Sequence, residues 1–276
     1  MAVQSHWFAV GPIVPWAMPG VGAVATQANI EVSYGPRALA LLQEGLEPER
    51  ALGQLVAEDP GAAGRQVAVL DAAGRVAVHT GEGCIPFAGH VIGEGVSCQA
   101  NMMASERVWT EMLDAFTAAE GTFTMRLLAA LDAAELAGGD VRGRQSAAIL
   151  VVPASGDPWE TVVSLRVEDD PEPLAELRRL VGLHDAYVIA EQGDEMLNDG
   201  RHDEAARLYR RASELAPGSA ELRFWAGLGA AHAGDLDAGV ADVRAAIEAH
   251  PPWRDLLARL PADAAPSAAA VLARLD

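Results

Sequence analysis

The chain has 276 residues, half of them hydrophobic, and a formal net charge of −19; it is long enough for a well-filled core plus an attached helical unit and too apolar for disorder. Residues 1–170 carry 9 Arg against 21 Asp and Glu, and residues 171–276 carry 11 against 18, so both parts repel phosphate backbones and anionic lipid, and nucleic acid is excluded as a partner. All 20 basic residues are Arg, which rules out Schiff-base lysine chemistry, a Ser-Lys dyad and a Walker-type phosphate loop.

Residues 1–30 contain no Asp, Glu, Lys or Arg. Pro12, Pro15 and Pro19, with Gly11, Gly20 and Gly22, would break a membrane-spanning helix, and no basic region precedes them. Buried strands joined by a Pro-rich loop are expected instead, with no membrane partner. Cys84 and Cys98 are the only cysteines, too few for a disulfide scaffold, and a cytoplasmic protein is expected.

Runs rich in Val, Ile and Ala predict strands at 3–10, 22–27, 66–71, 76–79, 96–100, 146–152 and 161–167. Asp71 to Arg75 reads as a tight hairpin between two of them. Helical periodicity marks 36–44, 48–58, 106–119 and 123–136, the last with Leu127, Leu128, Leu131 and Leu136 on one face. Strands, then helices, then strands again argue for a layered α+β fold rather than βαβ alternation. Four acids and two prolines at 168–173 read as a hinge, and a helix at 174–183 is expected to lead into a C-terminal helical region. The division is therefore 1–170, a linker at 171–183, and a helical domain at 184–276.

That last domain repeats with a period of 34 residues. Gly193 recurs as Gly227, Gly200 as Gly234, Asp203 as Asp237, Ala212 as Ala246 and Pro217 as Pro251. With Ala205 and Tyr209, the first copy places small residues, an aromatic wedge and a helix-stopping proline as a tetratricopeptide repeat does, and the segment resembles two such repeats. The resemblance implies a groove for a peptide or protein partner; packing on the front domain or against another copy of the chain is the alternative. Two repeats bury little, so the helix before them and residues 253–260 after them are expected as caps.

In the front domain, Gln4-Ser5-His6-Trp7-Phe8-Ala9-Val10-Gly11, Gly20 to Gln27, Gly138 to Ala148, His79-Thr80-Gly81 and Gln99-Ala100-Asn101 together resemble a bacterial family of unknown function, number ten-twenty-eight, assigned to the N-terminal-nucleophile (Ntn) hydrolase fold. The resemblance covers residues 2–167. It implies a four-layer αββα sandwich and amide-bond hydrolysis, in which the free α-amine of a terminal Ser, Thr or Cys acts as base for its own side chain. Relatives carry a further strand ahead of the segment matching residues 2–10, starting with Thr or Ser. Removal of Met1 here would expose Ala2, which has no nucleophile; the expectation is a start placed too far downstream or a copy lacking a terminal nucleophile.

The polar residues expected near a pocket are Ser5, His6, Thr26, Gln27, His79, Asn101, Asp140, Arg144, Gln145 and Ser146. Ser5 and His6 are neighbours on a strand and face opposite sides, so they form no dyad and one of them lines the cleft. Asp140 and Arg144 pair structurally, or Arg144 or Gln145 faces the pocket to hold a carboxylate or an oxyanion. Gly20 to Ala25 matches a dinucleotide fingerprint, but a strand rather than a helix comes after it. His79, Cys84, His90 and Cys98 carry ligand chemistry at spacings that match no usual metal pairing. No metal or cofactor is called for. The leading reading is an amidohydrolase acting on a small acylated or peptide-like substrate; the alternative is a non-catalytic scaffold or sensor whose repeats bind a partner or close a dimer.

Overall fold

A computed structural model describes residues 1–275. The chain divides into two compact units, Met1–Arg178 and Arg179–Asp276.

The first unit holds nine strands, all paired antiparallel: β1 (Ala2–Ser5), β2 (Pro15–Met18), β3 (Gly22–Ala28), β4 (Arg65–Asp71), β5 (Val76–Thr80), β6 (Gly89–Gly93), β7 (Val96–Ala100), β8 (Ser146–Val151) and β9 (Val163–Val167). They form a four-stranded sheet β2-β3-β4-β5, a three-stranded sheet β1-β8-β9 and the hairpin β6-β7. Four helices accompany them: α1 (Tyr34–Gln43), α2 (Pro48–Glu58), α3 (Val108–Ala118) and α4 (Phe123–Leu136). Helices α1 and α2 pack on the four-stranded sheet, α3 on β6 and β7, and α4 on β1 and β8. The main core lies where Leu39, Leu42, Leu52 and Leu55 of α1 and α2 meet Val24, Val67 and Val69. Its strands alternate as their sequence demands, with branched residues inward.

Local chemistry accounts for the boundaries. Pro48 opens α2 with Glu49 in its first turn, favourable at a helix N-terminus. Thr122 caps α4, its hydroxyl accepting from Met125 N at 3.3 Å. The Asp71 carboxylate accepts from Ala73 N and Arg75 N at 3.0 and 2.9 Å, which closes the β4–β5 turn.

The structure departs from the sequence expectations at four places. The strand expected over 3–10 stops at Ser5, whose hydroxyl accepts from Trp7 N at 3.0 Å; Trp7 and Phe8 then turn outward, 59% and 60% exposed. Strands β2 and β6 have no counterpart among the expected strands: one starts at a proline and holds no β-branched residue, and the other begins and ends with glycine around only Val91 and Ile92. The acidic stretch read as a hinge is pinned to the first unit by Ala9 N to Glu168 O and Asp170 N to Gln145 O, at 3.0 and 2.8 Å. The helix expected to end at 183 is one continuous helix, α5 (Pro173–Asn198), because nothing in 184–197 stops it.

The second unit is helical: the rest of α5, then α6 (His202–Leu215), α7 (Ala220–His232), α8 (Leu236–Ala249), α9 (Trp253–Leu257) and α10 (Ala268–Leu275). The 34-residue period is visible in its turns. Gly200 and Gly234 take left-handed conformations, φ 73° and 98°, and each closes the helix before it with the same pair of bonds. Arg201 N reaches Met196 O and Gly200 N reaches Leu197 O; Asp235 N reaches Ala230 O and Gly234 N reaches Ala231 O. That 6→1, 5→2 pattern is the Schellman motif, which glycine allows without a Cβ penalty. Tyr209 packs beside Trp225 with ring centroids 6.4 Å apart, and Trp253 of α9 stacks on the fully buried Phe224 at 4.8 Å.

Candidate functional site

Two adjoining hollows, about 160 and 400 Å³, make one cleft in the first unit. They share Met1, Ala2, Ala25, Ser97, Cys98, Gln99, Met112 and Leu131 in their walls. The smaller hollow is the polar end, with Gln4, Ser5, Gln27, Asn101, Asp140 and Arg142; the larger is lined chiefly by Met18, Leu70, Phe116, Leu127 and Leu150.

The polar end is organised by Gln66, on β4 and fully buried. Its Oε1 accepts from Gln27 Nε2 at 2.8 Å and from Asn101 Nδ2 at 3.2 Å. Its Nε2 is shared among Thr80 Oγ1, Gly89 O and Ala100 O at 3.0 to 3.1 Å. Thr80 Oγ1 also meets His90 Nδ1 at 2.9 Å, which extends the network to the imidazole. Burial, then the nearby His79, holds His90 below the usual histidine range. Gln27 and Asn101 direct their NH₂ groups to Gln66, and among the described residues no hydrogen bond reaches Gln27 Oε1 or Asn101 Oδ1. Opposite in character is Gln4 Nε2, a buried donor with no partner. The polar end thus presents the amide oxygens of Gln27 and Asn101 to a ligand, while Gln4 Nε2 is enclosed in the wall.

Asp140 reaches the cleft because Met103 bridges to it and Val141 N bonds Met102 O at 3.0 Å. Its carboxylate is taken up by Arg142, through main-chain N, Nε and Nη2 at 2.9, 3.0 and 2.7 Å. The expected Asp140–Arg144 pair is therefore corrected: Arg144 bonds Glu172 at 2.7 Å and approaches Glu135 at 3.5 Å. Two rim residues, Ala28 after Gln27 and Met102 after Asn101, are held in the left-handed region at φ 64° and 58°, a conformation that costs side-chain-bearing residues energy.

Of the residues singled out from sequence, the structure brings Ser5, Gln27, Asn101 and Asp140 to the cleft wall. The others lie elsewhere. Thr26 is fully buried, its hydroxyl donating to Glu31 O at 3.1 Å. Ser146 is fully buried, donating to Trp7 O at 2.5 Å and accepting from Val10 N at 3.1 Å. His79 Nε2 meets Ala62 O at 2.8 Å, and Gln145 donates to Asp169 at 3.1 Å. His6 and Arg144 are absent from the lining. Cys84 Sγ goes to Arg65 O at 3.3 Å, so His79, His90 and Cys84, three of the four residues considered as ligands, take separate partners, and Cys98 is a buried free thiol. Gly20 to Gly22 form the β2–β3 turn, which leads into a strand. Sequence reasoning misses Gln66 and Gln99, although a lone amide at the head of the apolar run Val67 to Leu70 is the kind of residue that needs a buried partner.

Comparison with protein families decides the relationship. The model of a family of unknown function, DUF1028, matches residues 1–177. The chain belongs to the DUF1028 family. A solved structure agrees: the crystal structure of protein SPO2555 from Silicibacter pomeroyi, a DUF1028 family model, is 34% identical with a TM-score of 0.60, over 65% of this chain and 77% of that one. No curated protein matches the chain. Among the described residues of this DUF1028 member, no helix is long and apolar enough to cross a membrane.

Proposed function

We propose that the first unit is an Ntn-hydrolase-like αββα sandwich whose cleft works on small acylated or peptide-like amides, and that the second is a tetratricopeptide-like module that presents a peptide or protein partner. Support for the sandwich comes from two helices on one sheet and two on the others. The observation that carries the functional reading is the cleft's polar end, where Gln27 and Asn101 are both anchored by Gln66 through their NH₂ groups and keep their amide oxygens free of protein donors among the described residues. An amide N–H is a donor that such a pair of oriented acceptors can receive, and a few placed polar groups in an apolar cleft are what fix a small ligand.

Hydrolysis further needs a nucleophile and its base, which the family's fold assigns to a chain-terminal residue. Ser5 is at the cleft, but its hydroxyl accepts from Trp7 N and no titratable side chain bonds it among the described residues. That observation favours a second reading, in which the cleft binds amides without cleaving them.

The test is a panel of N-acyl amides and short peptides incubated with the full chain, tracking both binding by calorimetry and amine release by a fluorogenic amine reagent. Amine release that falls at least tenfold in Asn101→Ala and Gln27→Ala supports hydrolysis; saturable binding with no release supports the binding role. Absence of both across the panel overturns an amide site.

A further inference from the structure

Two histidines from different helices meet within the second unit, outside its apolar cores. His202 is the first residue of α6 and His232 the last of α7, and their rings lie 4.9 Å apart between centroids, tilted by 50°. The 34-residue period puts Leu236 at the position of His202 and Asn198 at that of His232. Neither imidazole is therefore required by the repeat.

Both rings border a hollow of about 30 Å³ whose other walls are chiefly Leu197, Ala206, Leu228 and Ala265. The hydroxyls that also reach it are engaged, Tyr209 donating to Asp194 at 2.6 Å and Ser267 to Leu228 O at 2.7 Å. Among the described residues no hydrogen bond or ion pair reaches either imidazole. The half-buried His202 and the exposed His232 thus keep their nitrogen lone pairs, at the edge of a space with room for a single water.

An imidazole nitrogen binds a divalent transition metal at about 2.0–2.1 Å, which puts the ion roughly 3.2 Å from the ring centre. Two such arms spanning 4.9 Å enclose an angle of about 100°, between the octahedral and tetrahedral values. An anion would need both rings protonated, and it would enter a part of the chain that carries 11 Arg against 18 Asp and Glu over residues 171–276. Magnesium and calcium select oxygen donors, whereas neutral imidazole suits zinc, nickel and copper. We propose that His202 and His232 together bind one late first-row divalent cation, which ties the start of α6 to the end of α7. Among the described residues no group of three or more His, Cys, Asp and Glu is placed to hold a metal. The site is therefore a two-ligand one, with water in the remaining positions, and its ion exchanges freely.

The test uses the untagged full chain, stripped with a chelator and titrated with zinc and, separately, with nickel by calorimetry, with magnesium as the control. One zinc or nickel ion per chain is expected to bind at micromolar concentration, and magnesium to give no saturable heat. His202→Gln and His232→Gln are each expected to weaken binding roughly tenfold or more, and the double variant little further, because one imidazole left alone is no chelate. His250→Gln is expected to change nothing. Without metal the variants should melt with the parent, and only the parent should gain melting temperature from zinc. In the unsubstituted chain, zinc is expected to slow amide exchange at the start of α6 and the end of α7 and not elsewhere in the second unit, a readout that needs no variant. No binding of zinc or nickel at millimolar metal, binding that survives the double substitution, equal loss in His250→Gln, or exchange at those two helix ends unmoved by zinc overturns the proposal.

Discussion

Asn101 and Gln66, 35 residues apart, meet through a hydrogen bond of 3.2 Å from Nδ2 to Oε1, and through Gln66 the strand β4 is tied to the main chain of Gly89 and Ala100 on the hairpin β6–β7. One side chain joins two sheets. Gln66→Leu, similar in volume, strands donors on Gln27 and Asn101 and acceptors on two carbonyls, and is expected to cost about 3 kcal/mol. Hydrogen exchange of fragments from residues 1–178 as a function of urea measures the loss in that unit alone. A change within about 0.5 kcal/mol of zero would show that the network contributes nothing net.

Glycine tolerance is expected to split by position. At Gly227 on α7 a Cβ would sit 2.8 Å from Gly239 O and 2.9 Å from Asp242 Cβ, so Gly227→Ala forces α7 and α8 apart at a cost of roughly 1–3 kcal/mol. At Gly53 within α2 a Cβ meets nothing within 4 Å, and Gly53→Ala is expected to stabilise by about 0.5–1 kcal/mol through helix propensity. Thermal melts of the two variants, read by fragment-resolved exchange, should move in opposite directions.

Acid stability is expected to depend on Asp59. The Arg65 guanidinium at 2.8 Å, then Gly61 N at 2.7 Å, hold its carboxyl below the usual carboxylate range, with the Tyr34 hydroxyl at 3.2 Å adding to them. A depressed folded-state pKa means the stabilisation is complete above the unfolded value of about 3.9 and is lost as pH falls through the lower folded value. Asp59→Asn should lower the melting temperature at pH 7 and flatten its fall below pH 4. Parallel curves for variant and parent would argue against the linkage.

The two thiols should react in order. Burial pushes Cys98, 4% exposed, up to about 12 and pushes the half-buried Cys84 up as well, so neither is an activated thiolate at neutral pH. Alkylation at pH 8 with peptide mass spectrometry as the readout is expected to mark Cys84 slowly and Cys98 only under unfolding conditions. Prior labelling of Cys98 would place the cleft wall in a more open state than the one described.

Much of the framework can be read from residue spacing, because it rests on local rules. The bounds of α2 and α4 come from Pro48 and from the Thr122 cap, and the 34-residue period marks the turns at Gly200 and Gly234. The features that escape such a reading are set by particular hydrogen-bond partners, near or distant in sequence, that residue type alone does not specify. Ser5 ends its strand through the Trp7 N–H, and β2 owes its place to pairing with β3. In the cleft, Gln27 and Asn101 are strand-end amides visible in the sequence, whereas Gln66 matters because four other segments converge on it. Arg142 rather than Arg144 takes Asp140 because the turn directs its main-chain N–H and its guanidinium to the same carboxylate.

Ala28 and Met102 hold left-handed backbone on the rim of the cleft, an arrangement worth roughly 1–2 kcal/mol of tension per residue. Glycine at either place would relax the folded chain but give the unfolded chain more freedom to lose. The mouth of this protein is thus where heat resistance and shape pull against each other, and where a library screened for one should be scored for the other.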